Sequence, residues 1–284
     1  MTDSSFVAEL PSRAVVALGG ADWRAFLQGL ITQDVETLAI GEARFAGLLT
    51  PQGRLLFDLF VIGGADGCLI DCAADRRDAL TQRLGLYRLR AKVDIAASDL
   101  TVEALWGPPA APAGWSPDPR LTTLGRRGYG AAAPAGATRV DEAAYETRRL
   151  ALGVPGPADW GAEATYPIEA NFDLLNGIDF KKGCFVGQET TSRMKRRGAV
   201  KSRMIPIAFD GPPPAHGSEL LAGTLRAGVA LSGAEGGAMA LLRLDRLEAG
   251  TLATADGRAW RPMWPDWLTV ARTPQPRHRS QGHS

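Results

Sequence analysis

The chain has 284 residues, 45% of them hydrophobic and 22% charged, and a formal net charge of +1. This balance describes an ordinary globular chain of two or three domains and excludes a generic polyanion binder. No apolar run reaches the ~18 residues that a membrane span needs, so no membrane partner is expected.

In chain order, residues 22–31 place Trp23, Phe26, Leu27, Leu30 and Ile31 at helical spacing. This predicts a helix with one apolar stripe, capped by Asp22. Residues 44–49 and 54–62 read as two strands, with Thr50-Pro51-Gln52-Gly53 as the turn between them. A third strand is predicted at 67–73. A helix is predicted from Ala74 to about Arg90, with Leu80, Leu84 and Tyr87 on one face. Short strands follow near 92–95 and 100–106, giving an α+β arrangement of antiparallel sheet with helices on one side. Residues 107–136 are rich in proline and glycine, and 108–118 reads as a connection before a strand and loops. A helix is expected from Asp141 over Glu142 to Leu150. A short one is expected from Gly187 to Arg197, stopped by Gly198. From Arg203 the texture changes. Arg203–Phe209, Leu225–Leu231 and Ala238–Leu244 are apolar runs separated by Gly/Pro loops, as in a small β-barrel. The expected organisation is a region 1–202 of two α+β subdomains joined near 100–118, a barrel at 203–272 and a disordered polar tail at 273–284.

The most informative stretch is Lys182-Gly183-Cys184-Phe185-Val186-Gly187-Gln188-Glu189. From 181 to 203 there are eight Lys or Arg and one acid, Glu189. A thiol in such a field should ionise readily, and a helix starting just after it would add to the effect. The alternative is a buried cysteine in a glycine-rich turn beside a solvated basic helix. Four of the five lysines, Lys181, Lys182, Lys195 and Lys201, lie in this stretch, which suits a compact anion. Cys68 and Cys72 share the face of Ile70 on a strand and read as structural. His216, His278 and His283 offer no zinc-type spacing. Asp58, inside the apolar run Leu55-Leu56-Phe57-Asp58-Leu59, is either functional or turned to the surface. The first five residues lack the basic and apolar segments of a secretory signal. With three cysteines, that points to a reducing, cytoplasmic setting.

The Lys-Gly-Cys-Phe-Val-Gly-Gln-Glu run resembles the signature of the YgfZ family, relatives of the glycine-cleavage T-protein (aminomethyltransferase). Phe26–Val35 resembles the family's first helix and Leu49–Leu55 its first hairpin. Pro167-Ile168-Glu169-Ala170-Asn171 lies upstream of the cysteine as in that family. The resemblance implies the T-protein-like architecture with a C-terminal β-barrel. It also implies tetrahydrofolate as bound cofactor and a role in assembling or repairing iron–sulfur clusters in client enzymes. The folate is expected in a cleft bordered by the hairpin around Asp58, segment 167–173 and the turn 183–188. The candidates are Asp58, Glu169, Asn171, Lys182, Gly183, Phe185, Gly187, Gln188, Glu189 and Arg193, with Cys184 as reactive thiol and Asp58 matching the T-protein's catalytic aspartate. No stably bound cluster and no metal site are expected, because an ordinary cluster site takes four thiolates. One departure stands out. Where the T-protein reads the pterin with a glutamate, Arg149-Leu150-Ala151-Leu152-Gly153 carries Ala151. Three readings follow: a non-enzymatic assembly factor acting on client enzymes or assembly proteins, a folate-dependent one-carbon transferase, and a tRNA-modification-linked RNA-binding module. Direct nucleic-acid binding is the least expected, since no aromatic-interleaved motif lies in the basic stretch.

Overall fold

A computed structural model describes residues 4–107, 112–196, 198 and 200–269. β1 (Phe6–Glu9) and β2 (Arg13–Gly19) precede α1 (Trp23–Gln28). β3 (Ala43–Leu49), β4 (Leu55–Gly63) and β5 (Gly67–Ala73) run as a meander into α2 (Arg77–Arg88). β6 (Asp94–Ser98), β7 (Val102–Trp106), β8 (Trp115–Pro117), β9 (Arg126–Tyr129) and β10 (Thr138–Val140) lead to α3 (Glu142–Ala151), α4 (Pro157–Trp160) and α5 (Gln188–Arg196). The last strands are β11 (Ser202–Phe209), β12 (Glu219–Ala222), β13 (Leu225–Ala234), β14 (Gly237–Arg243), β15 (Leu252–Thr254) and β16 (Trp260–Pro262).

These elements form three sheets, ordered β3-β4-β5-β2-β6, β10-β1-β7-β9-β8 and β15-β12-β13-β14-β11-β16. An antiparallel bridge between Ala253 and Ala259 joins the ends of the third sheet and nearly closes it into the expected barrel. The chain changes sheets between β6 and β7, but β1 belongs to the second sheet, antiparallel to β7 and parallel to β10. Among the described strands one pair, β1 with β10, is parallel and the others are antiparallel. Residues 108–118, expected as a connection, contain β8; residues 108–111 and the polar tail 273–284 lie outside the described residues.

The meander is built from alternation with both faces covered. Along β4 all nine residues are buried. Phe57, Leu59 and Val61 face the core under α1 and α2, together with Leu27, Leu80 and Leu84. Phe60 and Ile62 face a second core shared with Phe172, Phe185 and Met204. The period of two puts Asp58 on the Phe60 face, inside the molecule. Each leucine buried here is worth roughly 1.5–3 kcal/mol of transfer free energy. α3 is capped as expected, Asp141 accepting from the Ala144 N–H. α1 is not capped by Asp22, whose carboxylate instead accepts the Lys92 N–H at 2.7 Å.

Candidate functional site

The cysteine motif is a short loop anchored at Lys182, Phe185 and Gly187 on either side of the thiol. The Lys182 ammonium donates to three carbonyls where α1 ends: Gln28 O at 2.8 Å, Ile31 O at 2.8 Å and Gln33 O at 2.9 Å. Burial pulls this amine down to about 8, against the attraction of Asp34, Asp179 and Glu36. Phe185 is 7% exposed and packs in the second core. Gly187 sits at φ +80, and a Cβ there would lie 2.6 Å from Thr50 O. Gly53 answers from the other side at φ +82, its would-be Cβ 2.9 Å from the Thr190 side chain. The hairpin turn 50–53 thus docks backbone to backbone on the start of α5, which only glycine permits. Gly183 has open space about it. Cys184 is exposed, whereas Cys68 and Cys72 are buried, and burial pushes both of those thiols up to about 12.

Asp58 is also buried, at 5% exposure, so the surface-facing alternative falls away. Its Oδ2 accepts from Arg13 Nη1 at 2.7 Å. Arg13 Nε also donates to Asp71 Oδ1 at 2.6 Å, and Arg127 Nη2 donates to Asp71 Oδ2 at 2.6 Å. Arg120 donates to Asp118 at 2.7 Å and to the Tyr145 hydroxyl at 2.8 Å. Arg149 lies on Glu146 at 2.7 Å and Asp159 at 3.3 Å. The guanidiniums of Arg13, Arg120 and Arg127 surround one phenyl ring, Phe60, at 5.4, 4.8 and 3.9 Å from its centroid. Burial alone would raise Asp71 and Asp118. The guanidiniums outweigh it and hold both carboxylates below their usual range. The cleft that this network leaves, about 30 Å³, has room for about one water.

This cleft, taken by itself, is too small for tetrahydrofolate. Small-molecule sites run to ~300 Å³ and more, and one oxygen of Asp58, Oδ2, is taken by Arg13. Of the residues expected to hold folate, only Asp58 lines this cleft. Glu169 caps its own turn by accepting the Tyr166 N–H at 3.0 Å, and burial raises its carboxyl. Asn171, fully buried, donates to Met204 O at 2.7 Å and accepts from Arg203 at 3.0 Å, tying the loop to β11. Gln188, Glu189 and Arg193 lie on α5, the last two exposed. Ala151 is exposed at the end of α3. The sequence reading missed Arg13, Asp71, Arg120 and Arg127. Asp71, an acid between Ile70 and Cys72 in an apolar strand, carries the same signal as Asp58.

Comparison with known proteins agrees with the fold. Residues 201–270 match the family model described as CAF17, C-terminal beta-barrel domain. The fold resembles the crystal structure of the glycine cleavage system aminomethyltransferase T from Bartonella henselae, with a TM-score of 0.76 over 94% of this chain and 87% of that one, at 17% identity. The human mitochondrial iron-sulfur cluster assembly factor IBA57 is 31% identical over 73% of this chain and 67% of its own length. The Mycosarcoma maydis homologue is 34% identical over 74% of this chain and 59% of its own, so the chain spans about three fifths of that relative. Two expectations are corrected. The named relatives are IBA57 proteins rather than YgfZ proteins, and they are named as mitochondrial, which overturns the cytoplasmic placement. That placement rested on a cysteine count and five leading residues, which do not separate one reducing compartment from another. With the T-protein fold, the matching barrel and a human relative covered over two thirds of its length, the chain belongs to the IBA57 family.

Proposed function

We propose that this chain is an iron–sulfur cluster assembly or repair factor that acts through Cys184 on client or assembly proteins and turns over no substrate of its own. The observation that carries this is the exposed thiol on a loop whose neighbours are committed to structure: Lys182 to α1, Phe185 to the core, Gly187 to the hairpin. The relatives named as iron-sulfur cluster assembly factors support it. A thiolate is a soft ligand suited to iron and to cluster sulfur chemistry. One accessible thiol suffices to receive or pass on a cluster component, not to hold a cluster whose ordinary site takes four. The other two thiols are sealed in the first core.

No observation favours the transferase reading. Asp58 is paired with Arg13 through Oδ2, Ala151 stands where a pterin-reading glutamate would be, and the cleft beside Asp58 is water-sized. The proposal therefore assigns no folate step. The test is complementation of a deletion strain with Cys184→Ala, reading the activity of a cluster-dependent enzyme. Loss of that activity with unchanged melting of the purified variant is expected, because an exposed sulfur contributes little packing. Full activity with Cys184→Ala would overturn the reading.

A further inference from the structure

The C-terminal barrel carries a cavity of about 300 Å³, against about 30 Å³ for the arginine cleft. That is the size at which small-molecule sites begin. It lies where the end of β11, the strand β16 and the turn between β13 and β14 meet. β11 and β16 pair antiparallel here, with Phe209 opposite Trp260 and Ala208 opposite Arg261. The turn is tied to β11 through Gly236, whose carbonyl accepts the Phe209 N–H at 3.3 Å and whose N–H donates to Gly211 O at 3.0 Å. Side chains alternate along β16, so Trp260 packs in the barrel core while Arg261 stays exposed.

Three of the residues that line this cavity carry unsatisfied polar groups. Asp210 and Arg261 are both exposed, and among the described residues neither makes an ion pair or a side-chain hydrogen bond, with the other or elsewhere. Nearby Arg258 is committed by contrast, to Asp256 at 3.2 Å and to Pro212 O at 2.7 Å. The third is Trp260, 4% exposed, whose buried Nε1–H has no acceptor among the described residues. A buried donor left unmade costs about 1–3 kcal/mol, and native folds leave few such groups without a water or a ligand. The rest of the lining is apolar, from Ala208, Phe209 and Ala259.

We propose that this cavity binds a free α-amino acid with an apolar side chain. A carboxylate and a guanidinium that line one cavity without pairing are complementary to a ligand that carries both charges itself. Asp210 receives the ammonium and Arg261 the carboxylate, each through a charge-assisted hydrogen bond. The Trp260 indole N–H is a second donor for the carboxylate, which gives the orphaned group its acceptor. The side chain of the ligand lies against Phe209 and the two alanines, where apolar area is buried. A polyphosphate is opposed by Asp210 and a metal cation by Arg261. The site lies in the barrel and does not rest on the Cys184 reading.

The experiment uses the full chain and three probes: L-phenylalanine, N-acetyl-L-phenylalanine, which lacks the ammonium, and L-phenylalaninamide, which lacks the carboxylate. Binding is read by calorimetry and by the indole N–H resonances of the seven tryptophans. The resonance of Trp260 is the one missing from Trp260→Phe. L-phenylalanine should bind saturably, and each derivative roughly tenfold or more weaker, for the loss of one charge-assisted hydrogen bond. Asp210→Asn and Arg261→Gln should each weaken L-phenylalanine by a similar factor. Asp210→Asn should leave the N-acetyl derivative unaffected, and Arg261→Gln the amide, because each pair then lacks the same contact. Neither variant should melt lower than the parent, since both side chains are exposed and unpaired among the described residues. At saturation the Trp260 indole resonance should move downfield. No saturable binding at millimolar L-phenylalanine overturns the proposal. So does equal affinity for the three probes, undiminished binding in both variants, or an unmoved Trp260 resonance at saturation.

Discussion

Lys182→Met tests whether the cysteine loop works by being held. The substitution keeps the length and apolar stem of the side chain and removes the three hydrogen bonds to Gln28 O, Ile31 O and Gln33 O. Hydrogen bonds from a charged donor are worth about 1.5–3 kcal/mol each, but burying the ammonium takes much of that back. That burial is what draws the amine to about 8. The net loss should be about 2 kcal/mol, localised where the loop meets the end of α1. A loss of that size is close to a 30-fold shift in an opening equilibrium. Native-state hydrogen exchange should therefore show the amides of 182–187 and 28–33 losing protection by that factor, while β4 keeps its own. Support of cluster enzymes in cells should fall although Cys184 is untouched. Linkage supplies a second check. The folded amine titrates near 8 and the free one near 10.5, so between these values the unfolded chain keeps a proton that the folded chain has released. Stability from this group then rises with pH across the window, and the gap between parent and Lys182→Met should widen there. Unchanged protection in both segments, with full activity in cells, would refute the tether.

The sealed thiols give a counting prediction: one cysteine should alkylate in the native protein and three after unfolding, because burial pushes Cys68 and Cys72 up to about 12. Native labelling of two or more would contradict the packing of β5. Asp71 and Asp118, held below the usual carboxylate range, contribute stability present above the unfolded value of about 3.9 and lost as pH falls through their folded values. Arg127→Met should unfold at distinctly higher pH than the parent in an acid titration followed by near-ultraviolet circular dichroism, and coincident titrations would refute the network. Tetrahydrofolate should neither raise the melting temperature nor bind by calorimetry, given a cleft of about 30 Å³; saturable binding abolished by Asp58→Asn would show that the arginines move aside.

How much of this was legible in the sequence depends on how far apart the partners lie. β3, β4, β5 and α3 were readable because alternation, a Pro-Gly turn and an Asp cap act within a few residues. β1 was not, since its pairing partners are at 102–106 and 138–140 and its four residues carry no pattern of their own. The cysteine motif announced a site, but the sequence could not say what each of its members does. Lys182 looked like an anion-binding ammonium, and its acceptors are backbone carbonyls about 150 positions away, which leave no trace in residue identity. Asp58 announced itself as an acid in an apolar strand, while Arg13, which neutralises it, sits 45 residues earlier in a strand that β5 separates from β4.

Two electrostatic regimes stand side by side in this fold. In the cleft, Arg13, Arg120 and Arg127 face Asp58, Asp71 and Asp118, charge for charge, around Phe60. Such a buried network costs several kcal/mol if one partner is removed. It also joins β2, β4 and β5 to β9 and α3, locking the first two sheets together. At the cysteine loop the order is reversed. The backbone is pinned by Lys182, Phe185 and Gly187, while among the described residues Lys181, Arg193, Arg196 and Lys201 beyond it make no ion pair or side-chain hydrogen bond and Lys195 rests on the Phe180 ring. Rigid backbone beneath exposed charge and an open thiol suits the exchange with another protein proposed above. The loop then need not be ordered at the moment of contact, and the entropy cost of positioning the sulfur is met in folding rather than in binding.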